Sequence, residues 1–184
     1  MDKLNILFDD NDNKIVVIPE VIFKNKQNIE WSEVESFLLK YVGDIVEIIE
    51  TKDRIHLGNE LPDEYANSKY SRFLKGARAK AKANAVQGIR EMVEIAENKI
   101  FSENEKTKHV GKAGKGWYYY TTRFALPVYK NEQKTEDYSV YSARLVVNHA
   151  KNGKKYLYDL VDIKKKRVTH SRLEISQVVK NRFL

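Results

Sequence analysis

Four histidines, His56, His109, His149 and His170, are the side chains best suited to acid–base work near neutrality, because imidazole alone titrates there unperturbed. His109 is the first candidate. It opens the stretch His109-Val110-Gly111-Lys112-Ala113-Gly114-Lys115-Gly116, with Lys106 and Lys108 just before it. Cations this close disfavour imidazolium, and a neutral imidazole among cations suits a general base beside a phosphate. The stretch lacks the Gly-x-x-x-x-Gly-Lys-Ser/Thr spacing of a P-loop. His149 ends an apolar alternating pattern and is the second candidate; His56 and His170 read as incidental. The chain has no cysteine, so disulfides, thiolate metal sites and a thiol nucleophile are excluded. It has neither His-Glu-x-x-His nor Gly-x-Ser-x-Gly. The simplest remaining enzyme chemistry is RNA cleavage without metal or cofactor. In it the substrate 2′-hydroxyl attacks the adjacent phosphate, and the protein supplies base, acid and cations.

The cations and a stacking surface come from the second half of the chain. Strand side chains alternate between two faces. Over Trp117–Tyr129 this puts Tyr118, Tyr120, Thr122, Phe124 and Leu126 on one face. Trp117, Tyr119, Thr121 and Arg123 take the other. Continued through Tyr138–Ala150 and Lys155–Ile163, the polar face gathers Tyr119, Thr121, Arg123, Ser142, Arg144, Tyr156 and Tyr158; Asp159 and Leu160 break the alternation. Arginines grip phosphates and aromatic rings stack bases. Arg123 and Arg144 are therefore the phosphate-binding candidates, Thr121 and Tyr158 orient the phosphate, and Tyr119 and Tyr156 are stacking candidates. Lys80, Lys82, Lys112, Lys115, Lys164, Lys165 and Lys166 add positive charge. The same pattern also fits an ordinary solvated sheet face with cross-strand aromatic pairs.

The elements that must hold these residues follow from period and punctuation. Leu4–Phe8 and Lys14–Phe23 read as strands, the second interrupted by Pro19. Ser32 and Glu35 form a capping-box pattern for a helix that stops at Gly43. Asp44–Glu50 and Arg54–Leu57 read as a hairpin. From Pro62 a helical region runs to about Lys99, with breaks at Gly76 and Gly88. The three long strands follow, and Asn152-Gly153 marks a tight hairpin between the last two. The net charge of +7 is unevenly spread. Residues 1–68 carry 7 basic and 15 acidic side chains, while residues 69–90 carry 7 basic and none acidic, and residues 151–184 carry 10 and 3. Basic blocks of this kind point to an anionic partner, RNA first. No signal-peptide pattern opens the sequence and no run is long and apolar enough to span a bilayer, so the expected compartment is the cytoplasm.

Three segments carry a family likeness: Gly116-Trp117-Tyr118-Tyr119-Tyr120 with Arg123-Phe124-Ala125-Leu126-Pro127-Val128-Tyr129, then Ala143-Arg144-Leu145-Val146-Val147-Asn148-His149-Ala150, then Tyr156-Leu157-Tyr158-Asp159-Leu160-Val161-Asp162-Ile163. They resemble domains of phage and mobile-element proteins of Firmicutes grouped with the barnase–EndoU–colicin–RelE-like nucleases. The resemblance spans roughly residues 60–166 and implies an α+β fold, with helices packed on one face of an antiparallel sheet of about four strands. Residues 59–184 would form that domain and residues 1–58 a small acidic α/β appendage. It also implies a toxin-like, metal-independent RNA endonuclease acting on tRNA or other single-stranded RNA. Arg123, Arg144, His149 and Tyr158 match its motifs and could act; His109 rests on loop chemistry alone. Two other functions stay open. One is nucleic-acid binding without cleavage on a nuclease-like fold. The other is a phage-encoded inhibitor that docks a host protein on its acidic residues 1–58.

Overall fold

The computed structural model describes residues 3–25, 27–103 and 114–166. In chain order the elements are β1 (Ile6–Phe8), β2 (Lys14–Val17), α1 (Trp31–Leu38), β3 (Ile45–Glu47), β4 (Arg54–His56), α2 (Leu61–Asn67), α3 (Lys69–Phe73), α4 (Gly76–Ala85), α5 (Ile89–Glu94), β5 (Glu97–Ser102), β6 (Trp117–Lys130), β7 (Gln133–His149) and β8 (Lys155–Lys165). Among the described residues no helix is long and apolar enough to cross a membrane.

The meander β6–β7–β8 is antiparallel, but the β7–β8 connection that Asn152-Gly153 marks is a loop of five residues, 150–154, and the two-residue turn lies instead at Asn131-Glu132 between β6 and β7. The sheet around it departs from the sequence expectation. Among the described residues it has eight strands rather than about four, it is mixed rather than antiparallel, and it curls into a half-barrel. Residues 1–58 are the reason. The β1–β2 hairpin joins one side through a parallel pairing of β2 with β6, and the β3–β4 hairpin joins the other through a parallel pairing of β4 with β8. These residues are not an appendage: Val16, Val34, Leu38, Ile48 and Ile55 lie in the same core as Ile89, Tyr120, Leu145 and Leu160. Short two-stranded units of this size bury too little to stand alone, and the long meander offers them two pairing edges. A fifth partner, β5, covers the first half of β6. Its residues read as the end of a helix in the sequence, but Gly88 and a 3₁₀ turn at Val86–Gly88 leave only the short α5 before the chain extends.

Two further signals act at shifted places. Pro19 ends β2 at Val17 instead of marking an edge, since β2 has neighbours on both sides. Helix α1 starts at Trp31, one residue before Ser32, and has no side-chain cap. Gly76 adopts a positive φ of 62° at the start of α4. Gly88 is needed for close approach: a Cβ there would lie 2.8 Å from Val16 Cγ1 and 2.9 Å from Ile18 Cδ1.

Helix α4 overturns one expectation outright. Its alternating Ala/Lys sequence looks like a solvated basic rod, yet Ala79, Ala81, Lys82, Ala83, Asn84 and Ala85 are all buried. Small side chains let the sheet close around it. Asn84 is spent on the backbone, accepting from the Ile22 and Phe23 amides and donating to the Phe23 carbonyl. Lys82 is wholly buried, with its ammonium 2.5 Å from Asp159 Oδ1 and 2.7 Å from Ser71 Oγ. The Tyr65 and Tyr70 rings stand 4.5 and 5.1 Å from the same nitrogen. Lys82 therefore cannot contact nucleic acid. Burial pushes Asp159 up and Lys82 down from their ordinary values, and the attraction and hydrogen bond between the two oppose both shifts.

Removing one partner of such a pair strands a buried charge and costs about 3–5 kcal/mol, whereas replacing both with apolar groups is far cheaper. Lys82→Met is accordingly expected to lower stability in urea denaturation by about that amount. The double variant Lys82→Met/Asp159→Leu should recover most of the loss; strictly additive losses would show that the two do not act as a pair.

Candidate nucleic-acid interface

Strand alternation sorts the candidate residues onto the two faces of the sheet. On β6 the inward set is buried apart from the half-buried Tyr118, with Tyr120 and Phe124 at 0% exposure. Trp117, Tyr119, Thr121 and Arg123 stand half-buried on the outer face. Register extends that face across the neighbouring strands. Trp117 lies opposite Asn148, Asn148 opposite Tyr156, and Tyr156 opposite His56 on β4, a single row over four strands. Further along, Tyr119 faces Val146 and Thr121 faces Arg144; Arg123 faces Ser142, which faces Lys164. The structure thus brings together Arg123, Arg144, Tyr119, Thr121, Tyr156, Tyr158 and Lys164 on one surface.

The broken alternation at Asp159 and Leu160 has a geometric cause. Leu157 is opposite Val147 and Asp159 opposite Val146, so Tyr158 and Asp159 share one partner residue in a β-bulge. The extra residue turns Asp159 towards Lys82 while Tyr158 packs edge-on against Trp117, with ring centroids 5.0 Å apart. A second register shift lies between Ser142 and Arg144, where Asp162 has a positive φ of 53°. Bulges of this kind re-aim side chains without ending the strand.

The charges on the outer face are largely matched. Arg123 Nη1 lies 2.5 Å from Glu97 Oε1, and Arg144 Nη1 lies 3.2 Å from Asp162 Oδ2. The Arg144 guanidinium also stands 4.6 Å over the Tyr119 ring. Burial, then a hydrogen bond with Glu64, pushes the Tyr158 phenol well above its ordinary value, so its hydroxyl is a fixed, protonated group. Lys164, Lys165 and Lys166 are exposed at the end of β8. Lys80 is half-buried on α4. His56 packs against Tyr156 at 5.3 Å, and its pKa is lowered by burial and by Lys154 and Arg54.

His149 is not part of this surface. It lies opposite Lys155 and packs on Tyr118 at 5.6 Å, on the inner face at the open end of the sheet. There Asp53 Oδ1 accepts from Lys155 at 2.5 Å, and its Oδ2 from Tyr120 at 2.6 Å and Lys99 at 2.8 Å. Both lysine nitrogens lie over the Tyr118 ring, at 5.0 and 4.4 Å. Lys115, which is exposed, donates its backbone N–H to the His149 carbonyl. Burial, then Lys155, Lys115 and Lys99, lower the His149 pKa. The expected constellation is therefore split: the arginines and Tyr158 share one face and His149 sits on the other. His109 and Lys112 lie outside the described residues. Among the described residues no group of three or more His, Asp or Glu side chains could hold a metal ion.

Sequence reasoning missed Asn148, His56, Lys99 and Asp53. Alternation alone places Asn148 beside Arg144 on the outer face. His56 becomes visible only through the β4–β8 pairing, and Lys99 only once β5 is a strand.

The Asp53 cluster gives a pH signature. Burial raises this carboxyl, but hydrogen bonds from Lys155, Lys99, Tyr120 and Thr51 outweigh it and hold the pKa well below the usual range. A depressed carboxyl stabilises the fold fully above its unfolded value near 4, and that contribution fades as pH falls through the folded value. Asp53→Asn should therefore cost on the order of 2 kcal/mol at pH 7, with the gap to the unsubstituted protein closing below about pH 4 in acid-denaturation curves. A gap that is constant with pH would rule out the ionised cluster.

No protein-family model, curated protein or solved structure matches this chain.

Proposed function

We propose that the protein binds single-stranded nucleic acid, RNA foremost, on the outer face of its sheet and does not cleave it there. One observation carries this reading: Trp117, Tyr119, Tyr156 and Tyr158 share that face with Arg123, Arg144 and Lys164. Rings at strand spacing stack successive bases, and nearby cations follow the backbone. Cleavage on this face lacks support, because each arginine has a carboxylate partner and His149 faces the other way. The likeness to barnase–EndoU–colicin–RelE-like nucleases supports the ligand more than the reaction.

A second reading has its own observation. His149, held neutral by burial and by Lys155, Lys115 and Lys99, combines a base with cations on the inner face. It makes the protein a metal-independent ribonuclease working at a different place.

Fluorescence-anisotropy titration with labelled single-stranded RNA separates the two. Tyr119→Ala and Tyr156→Ala should each weaken binding by about 1–3 kcal/mol. Lys164→Ala should weaken it on every sequence and lower the slope of affinity against salt by about one. RNA left intact in EDTA is the expected companion result. RNA cleaved in EDTA, and spared by His149→Ala, would establish the second reading instead; no binding at low salt would sink the first.

A further inference from the structure

The outer face ends in a cavity of about 330 Å³, within the size range of small-molecule sites. Its wall includes Gly58, Asn59, Asn148, Tyr156, Leu157 and Tyr158. Asn148 is its unusual member. The residue is 5% exposed, and its Oδ1 is buried without a hydrogen-bond partner, alone in this among the described residues. A buried amide oxygen left unpaired costs roughly 1–3 kcal/mol. Register explains how it is held: Asn148 sits between Trp117 on β6 and Tyr156 on β8, so aromatic rings flank the amide on both sides. Tyr156 is itself seated, since a Cβ on Gly58 would meet its ring at 3.1 Å, and the Asn152 amide reaches its hydroxyl at 3.4 Å.

We infer that this cavity is a nucleobase pocket in which the Asn148 amide reads adenine. The inference rests on the single-strand reading above and gives that surface its sequence preference. A side-chain amide pairs with adenine through two adjacent groups, its oxygen accepting from the N6 amine and its nitrogen donating to N7. Uracil offers no exocyclic amine, and guanine places an acceptor, O6, where adenine carries that amine. The Tyr156 ring in the same wall supplies the stacking surface. The nearby cations Arg54 and Lys154, whose charges reach His56 beside Tyr156, suit the phosphate of the same nucleotide.

The base could belong to a strand or to a free nucleotide, and the test uses both. Calorimetric titration of the full chain with AMP, UMP and the 5′-monophosphate of purine riboside, which lacks the amine, reads the pocket directly. AMP should bind roughly 10-fold or more tighter than either of the others, and Asn148→Ala should erase the difference. The ligand series alone decides the matter if that variant fails to fold. Equal affinity for AMP and the amine-free nucleotide, or no AMP binding at all, overturns the inference. Oligonucleotides of about twelve nucleotides, adenine-rich against uracil-rich, separate this failure from that of the interface. Binding without adenine preference sinks the pocket only, whereas no binding of either strand with AMP still bound sinks the interface and leaves the pocket as a free-nucleotide site.

Discussion

The buried pair of Lys82 and Asp159 constrains everything around it. A lysine ammonium without water must find an anion and further acceptors, and here it finds Asp159 and Ser71 within hydrogen-bond reach. That requirement locks α4 to β8 at one point along the strand. It also demands that Asp159 turn inward, and the bulge that permits this leaves Tyr158 packed against Trp117 and returns Leu160 to the core. One electrostatic requirement in the core thus sets which aromatic rings the opposite face displays. Apolar isosteres could fill the same volume at equal or better stability; what the ion pair adds is a single register for β8.

The curl of the sheet then separates two chemistries that the sequence places side by side. His149 and Asn148 are neighbours in the chain, yet alternation sends one to a lysine-rich cluster on the inner face and the other to an aromatic row on the outer face. At the inner end a single carboxylate, Asp53, ties Lys99 of β5, Lys155 of β8 and Tyr120 of β6 into one knot. That knot staples three strands together where the sheet opens. The outer face is held instead by separate contacts, Arg123 with Glu97, Arg144 with Asp162 and the Tyr119 ring, and Tyr158 with Trp117.

Much of this was legible in the sequence, for physical reasons that differ by element. The three long strands show their period directly, so the sorting of Tyr119, Thr121, Arg123 and Arg144 onto one face needed no structure. Gly76, Gly88 and Asn152-Gly153 announce their turns through backbone chemistry. Lys82 was misleading because an Ala/Lys run has the same composition whether solvated or buried; only Asp159, 77 residues away, decides it. The short strands β1 to β4 give local signals, but their places at opposite ends of one sheet are long-range facts. Segment β5 follows a helical stretch without a strong breaker and becomes a strand because β6 offers an unpaired edge.

The pairing of Arg123 with Glu97 and of Arg144 with Asp162 constrains the recognition proposed for the outer face. A surface that relied on phosphate contacts alone would keep its guanidiniums unpaired and draw its affinity from counterion release. Here the carboxylates cancel much of that field and hold the arginines in place, one of them over the Tyr119 ring. A guanidinium stacked on an aromatic face extends the flat surface available to a base. For the binding proposed above, the balance would therefore shift from charge towards stacking and shape, with Lys164 and its neighbours at the end of β8 as the source of general attraction. A stacking surface of that kind gains selectivity only where a hydrogen-bonding group is set among the rings, and Asn148, between Trp117 and Tyr156, is the group in that position.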